Sequence, residues 1–223
     1  MVIAFQTKSE VVHDKLRRDI VEGILKPAQR IILSDVAKEF GISEIPVREA
    51  IRRLETEGFV EFTPHVGAVV SKINRKEFIE FYLIRIELET LATKLATPHI
   101  RQADLDFLNA INKKMELYIA QGNHEKLGGL NKDFHLRIYK AGPYPYLYKM
   151  IFDLWEKVER AQSIFALVPQ RAPASVNEHK EIVTALKNKK AALAAKLLKV
   201  HKQHTMKVLE NYLKQSAEPL KTN

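Results

Sequence analysis

Residues 42–60 read ISEIPVREAIRRLETEGFV, and the spacing within them decides how the N-terminal part of the chain folds. On a helical wheel Val47, Ala50, Ile51 and Leu54 share one side. Ile45, Arg48, Glu49 and Arg52 share the other, with Arg53 at the flank. Ser43 stands at a cap position, Pro46 falls in the first turn where a missing N–H costs little, and Gly58 marks the end. A helix docked by one apolar side offers its opposite side to a groove. Arg48 and Arg52 lie one turn apart there, within reach of phosphates or a guanine edge. The same residues also suit an ordinary solvated helix surface laced with ion pairs.

The flanks complete a small domain. Residues 8–22 carry a helical stripe of Val11, Val12, Leu16, Ile20 and Val21, stopped by Gly23. A connector with Pro27 leads to a short helix, DVAKEF, that Ser34 can cap and Gly41 ends. After Gly58, two β-like runs surround TPHVG, the pattern of a hairpin or wing. From residue 74 the character changes to long helices near 76–97, 104–121, 123–141, 145–168, 177–188 and 190–214. Asn74 with Glu77, and Ser175 with Glu178, have capping-box spacing. The expected fold is mainly α: a winged helix-turn-helix over 1–73, an antiparallel all-α bundle over 74–215 and a flexible tail over 216–223.

Composition narrows the chemistry. The chain of 223 residues has no cysteine, which removes disulfides, thiolate nucleophiles and cysteine zinc sites together. It contains no long apolar run and no leader-like start, so we expect a cytoplasmic protein without a membrane partner. The net charge of +9 suggests an anionic partner, but cations and acids balance over 1–73. The excess lies wholly in 74–223, so a DNA-binding N-terminal part would have to work through a local patch.

Histidines are the second signal. His179 is centred on the stripe of Ile182, Val183 and Leu186, and His201 on that of Ala194, Leu197, Leu198 and Val208. The intervening KNKKA at 187–191 reads as a tight turn between antiparallel helices, which brings both histidines to one level. Asn131 and His135 are four apart on another helix, beside Leu127, Leu130, Phe134 and Ile138. Inward imidazoles need partners, and either a first-row divalent ion or a polar pocket supplies them.

The run IPVREAIRRLETEGFVE followed by PHVGAVV resembles the winged helix-turn-helix of GntR-family transcription regulators over residues 9–71. The resemblance implies that the helix after Ser43 is the recognition helix and that the hairpin tip at Gly67 reaches a minor groove. Family contacts map onto Ser34, Ser43, Glu44, Arg48, His65 and Gly67, to which the exposed wheel position adds Arg52. Glu44 and Ile45 stand where the family usually has Arg and Thr, and Ser34 and Val66 replace frequent arginines. A glutamate can accept from cytosine N4, so the operator is expected to differ at that contact.

Residues 77–210 are similar to the C-terminal effector domain of the FadR subgroup, called FCD, through RIELETLATKLA, NKDFHLRIYKAG and EHKEIVTALKNKKAALAAKLLKVH. In metal-binding members an Asp four residues before a His joins two further His. The matching positions are Asn131, His135, His179 and His201, with Asn in place of Asp. The resemblance thus implies a divalent transition metal, zinc or nickel, capped by a small carboxylate effector that Arg85 could clamp. Arg85 with Glu89 has equally the spacing of a surface i,i+4 ion pair. Trp155 with Phe152 and Tyr148 reads as core or dimer interface, and the lysines at 187–202 as a mostly solvated face.

The expected function is a ligand-responsive regulator, homodimeric on a double-stranded DNA operator. The alternatives are a metal-dependent enzyme, which lacks HExxH, a phosphate loop and an evident general base, and a protein-binding scaffold using the winged domain.

Overall fold

The first helix is fixed at its N-terminus by a reciprocal pair of hydrogen bonds. Thr7 Oγ1 accepts from Glu10 N–H (3.2 Å), and Glu10 Oε2 accepts from Thr7 N–H (2.7 Å). This capping box opens α1, Lys8–Val21. The structure, a computed structural model, describes residues 6–71, 75–159 and 164–217. They form two compact units, which are described one at a time.

In the first unit α2 (Leu33–Phe40) and α3 (Glu44–Thr56) follow α1, and α3 packs on both. Val47, Ala50, Ile51 and Leu54 are buried with Val12, Leu16 and Ile20 of α1 and Val36 and Ala37 of α2. The wheel therefore placed the docked side of α3 correctly. The turn between α2 and α3 runs through Gly41 at φ 62°, a left-handed conformation that glycine adopts without a Cβ clash. Ser34 does not cap α2, because the helix already begins at Leu33. Ser43 holds the extended N-cap conformation of α3, but its side chain makes no capping hydrogen bond.

Strands β1 (Val60–Thr63) and β2 (Gly67–Val70) pair antiparallel, Val60 opposite Val70 and Thr63 opposite Gly67. Val66 N–H donates to Thr63 C=O (3.1 Å). Pro64 sets the first central φ and His65 takes φ 62°, which makes a type II turn. The connector before α2 is not plain loop. Ile31 N–H donates to Ala68 C=O and Val70 N–H to Gln29 C=O, each at 2.9 Å, so the connector covers the free edge of β2.

The second unit comprises α4 (Arg75–Ala96), α5 (Gln102–Ala120), α6 (Leu127–Lys140), α7 (Pro145–Glu159), the one-turn α8 (Ile164–Leu167), α9 (Arg171–Lys187) and α10 (Ala191–Ala217). Helix α10 packs on α4 and α9, α5 packs on α9 and α6, and α4 packs on α6 and α7. The α9–α10 turn passes through Lys189 at φ 53°. The Lys189 ammonium donates to the carbonyls of Thr97, Pro98 and Ile100, closing the end of α4 against that turn.

Two expectations change. Helix α9 begins at Arg171 rather than near 177, so Ser175 and Glu178 form no capping box and Ser175 is a buried mid-helix residue. Pro173 is no breaker there, because the first-turn N–H groups have no helical acceptor to lose. Helix α10 continues to Ala217, past the expected start of the tail, whose remainder lies outside the described residues, as does Asn74.

Ile51 is fully buried among all three helices of the first unit. Replacing it with alanine should lower the unfolding free energy by about 2–5 kcal/mol, read from the urea midpoint of circular dichroism.

Candidate functional site

The α9–α10 hairpin delivers its two histidines as the sequence implies. His179 and His201 have ring centroids 4.9 Å apart, and His135 of α6 lies 5.0 Å from each. All three rings are buried, and one ligand atom from each falls within 4.8 Å of the others. Phe134 stacks on His179 with centroids 3.8 Å apart, which holds that ring flat against the core.

The hydrogen bonds behind the rings assign their tautomers. His201 Nδ1 meets Glu178 Oε2 at 2.7 Å, and His179 Nδ1 meets Asn112 Oδ1 at 3.3 Å; both partners accept. His135 Nδ1 faces the Tyr139 hydroxyl oxygen in a longer contact of 3.5 Å, and that hydroxyl donates its proton to Glu89 Oε2 (2.6 Å). The Nδ1 of His179 and of His201 therefore carries the hydrogen and their Nε2 lone pairs turn inward, while the Tyr139 oxygen offers His135 Nδ1 an acceptor for the same tautomer. His135 Nε2 and His201 Nε2 are 3.2 Å apart, and His179 Nε2 has no hydrogen-bond partner.

Two ligands on a tetrahedral zinc are separated by about 3.3 Å when each bond is about 2.05 Å long. The His135–His201 pair already has that separation. Asn131 lies one turn before His135 on α6, and its Oδ1 is buried without a partner. The donor set of three neutral imidazoles and one amide oxygen fits a first-row divalent ion. Asp133 is exposed, in keeping with its exclusion as a ligand.

Burial first, then the neighbouring cations, hold His135 and His179 well below the ordinary imidazole value. Burial likewise drives His201 down to about 4 against the opposing pull of Glu178. Burial raises Glu178, but hydrogen bonds from His201, His204 and Arg171 outweigh it and bring its carboxyl to about 2. His204 Nδ1 meets Glu178 Oε1 at 2.8 Å, so this histidine supports the cluster from behind.

Arg85 corrects one expectation. Its pair with Glu89 (2.6 Å) is not on the surface: Arg85 is 1% exposed and Glu89 fully buried. The guanidinium lies 3.7 Å from the Trp155 ring centroid and leaves Nη2 without a hydrogen-bond acceptor. Lys202 corrects another. It is buried rather than solvated, 2.8 Å from Glu89 Oε2, and desolvation lowers its pKa to about 7. Trp155 is buried against His135, Arg85 and Lys202, and so belongs to the site rather than to plain core. Arg171, Glu178, Asn112 and Tyr139 were not singled out as site residues in the sequence. A cleft of about 750 Å³ lined by His99, Arg101, Arg137 and Lys140 includes none of the three clustered histidines, and Arg137 there is tied to Asp104.

In the first unit Ser34, Ser43, Glu44, Arg48, Arg52 and His65 are all exposed and Gly67 half-buried at φ 97°. Glu44 and Arg48 sit 3.6 Å apart as an i,i+4 ion pair on the outer side of α3, and Ile45 between them is 70% exposed.

A winged helix-turn-helix with a histidine-centred helical unit defines a class, the DNA-binding transcription regulators with an effector domain. Residues 8–70 match the bacterial regulatory proteins of the gntR family, and residues 80–204 match the FCD domain. The chain belongs to the GntR family of transcription regulators, in the group that carries an FCD domain. It is 31% identical to the HTH-type transcriptional regulator McbR of Escherichia coli over 182 residues, 80% of this chain and 81% of that one. It is 27% identical to the uncharacterized regulator YdhC of Bacillus subtilis over 92% of both chains. The solved structure of E. coli McbR/YncC matches with a TM-score of 0.77 at 25% identity, over 95% of this chain and 100% of that one. The matched families and relatives are regulators, not enzymes, which removes the enzymatic alternative. No helix among the described residues is long and apolar enough to cross a membrane.

The depressed imidazoles make stability depend on pH. Below 6.5 the unfolded chain binds protons that the buried rings refuse, so stability present above 6.5 is lost as pH falls towards about 4. The fluorescence of Trp155, the one tryptophan, should report a urea midpoint of the metal-free protein that falls across this window. A midpoint that stays level from pH 7 to 4 would contradict rings buried in the neutral state.

Proposed function

We propose that the helical unit senses a small organic acid through a divalent transition metal, zinc or nickel, held by His135, His179, His201 and Asn131. The observation that carries this is the convergence of one ring nitrogen from each of three buried histidines within 4.8 Å, with an acceptor facing each Nδ1. A bound ion would supply a Lewis-acidic point for a carboxylate, with an amide oxygen in place of one anionic ligand. Arg85 would clamp the same carboxylate through Nη2, its buried donor without an acceptor.

The DNA-contacting set is Ser34, Ser43, Glu44, Arg48, Arg52 and His65, each exposed, with the half-buried Gly67 at the wing. Glu44 acts twice: it accepts from a cytosine amine, and in free protein it holds Arg48 away from phosphate. The working form is a cytoplasmic homodimer on a double-stranded operator, with effector occupancy biasing the spacing of two winged units over two half-sites. The exposed Leu83, Ile84 and Leu91 of α4 offer a second copy an apolar surface.

Two measurements test the reading. Protein purified without chelator should carry about one metal ion per chain by mass spectrometry, and His179→Ala should lose it, with affinity down about 100-fold or more. Equal metal in both proteins would remove the centre. In gel-shift titrations against the chain's own upstream region at low salt, Arg48→Ala should weaken binding by about 1–3 kcal/mol. Glu44→Gln, which frees Arg48 and removes a repelled carboxylate, should tighten non-specific binding. Absence of any retarded band at micromolar protein would overturn the DNA-contact assignment.

A further inference from the structure

Helix α9 carries an unsatisfied polar face that the metal centre and the Arg85 clamp do not use. Arg171, Ser175 and His179 are spaced four apart, one above the other on successive turns. All three are buried, at 6%, 1% and 0% exposure. Each has a buried polar atom without a hydrogen-bond partner among the described residues: Nε and Nη1 of Arg171, Oγ of Ser175 and Nε2 of His179. The first two lie outside the set proposed to hold an ion.

Neither orphan follows from ordinary helix chemistry. A mid-helix hydroxyl usually bonds back to the carbonyl four residues earlier. Thr184 does so to Lys180 on this same helix (2.9 Å), and Thr93, Thr97 and Thr205 do so elsewhere in the unit. Ser175 does not, so its hydroxyl remains available. Arg171 spends only Nη2, which pairs with Glu178 and contacts His201 C=O and Thr205 Oγ1 at 3.4 Å. A guanidinium is always charged, and the N–H groups on Nε and Nη1 point at no acceptor among the described residues.

The carboxylates nearby are shared. Glu89 serves Arg85, Lys202 and Tyr139 together, while Glu178 serves Arg171, His201 and His204. Neither arginine has an anion to itself, and the buried imidazoles contribute no negative charge. Arg171 Nη2 lies 3.5 Å from His201 Nδ1, which puts its guanidinium against the histidine cluster.

We propose that Arg171 and Ser175 form a second anion subsite beside the histidine cluster, and that the effector is a short acid with a second anionic group, carboxylate or phosphoryl-type, at its far end. This rests on the reading that the helical unit takes a small acid. The first carboxylate goes to the metal and Arg85; the second accepts from Arg171 Nε and Nη1 and from Ser175 Oγ.

The test is isothermal titration of the full-length, zinc-loaded protein. Malonate, succinate, glutarate and adipate are each compared with the monocarboxylate of the same carbon number. Phosphonoacetate and 3-phosphonopropionate distinguish a phosphoryl-type group from a second carboxylate. At least one dianion should bind about tenfold tighter than its monoanionic match. Arg171→Gln should cut that preference to about threefold or less, and Arg171→Lys, which keeps the charge, should retain part of it. Because the preference is a ratio, any loss that both classes share through Glu178 and His201 cancels from it. Ser175→Ala removes a single oxygen, and it should lower the dianion's affinity about threefold even if Arg171→Gln fails to fold.

Equal binding of monoanions and dianions to the wild type overturns the second subsite while leaving the acid-sensing reading intact. So does an Arg171→Gln loss that falls equally on both classes, because Arg171 would then only position Glu178 behind His201. Failure of every acid to bind zinc-loaded protein overturns the acid-sensing reading, and the subsite with it.

Discussion

The Nε2 atoms of His135 and His201 lie 3.2 Å apart in a buried site, so a proton or a cation must lie between them or their lone pairs repel. Much of the helical unit's polar interior answers that constraint. The acceptors behind the rings set the tautomers that create the opposed lone pairs, and burial keeps protons from neutralising them. The hairpin turn at Lys189 fixes the register of α9 and α10, and with it the distance between His179 and His201. Replacing the cluster by apolar side chains would remove an unsatisfied polar core. Its presence in a core that leucine could fill is what supports the proposed ligand.

Around the cluster, one carboxylate organises a layer of cations. Glu89 accepts from Arg85, Lys202 and Tyr139 at once, and burial alone would raise its pKa. The coulombic attraction of Arg85 and Lys202 wins and brings it to about 2. This layer also bears on His135, because Tyr139 spends its proton on Glu89 and leaves its oxygen facing Nδ1. The indole of Trp155 completes the layer by lying against both cations and the His135 ring.

Much of this was legible in the sequence because it depends on period and turn position. The buried side of α3, the two-stranded wing and the alignment of His179 with His201 follow from spacing alone. What was not legible depends on how many neighbours a helix has. Lys202 follows His201 by one residue and reads as solvated on a wheel, yet α10 is flanked by both α4 and α9 and buries a wide arc. Arg171 lies before the helix start that the sequence suggests and Ser175 at its cap, because Pro173 resembles a breaker yet sits in a first turn. The edge pairing of residues 28–31 was missed because a short connector carries no alternation to detect.

The internal pairing of Glu44 with Arg48 has a consequence for how such a regulator is distributed along a chromosome. If the proposed contacts hold, a winged unit without net charge, whose Arg48 is shared with Glu44, gains less from random duplex, where binding is mostly counterion release. Few molecules are then sequestered on the vast excess of competing sequence, and a small copy number suffices to fill one genuine target. Discrimination in this architecture comes from weakening the unspecific background as much as from strengthening the right match.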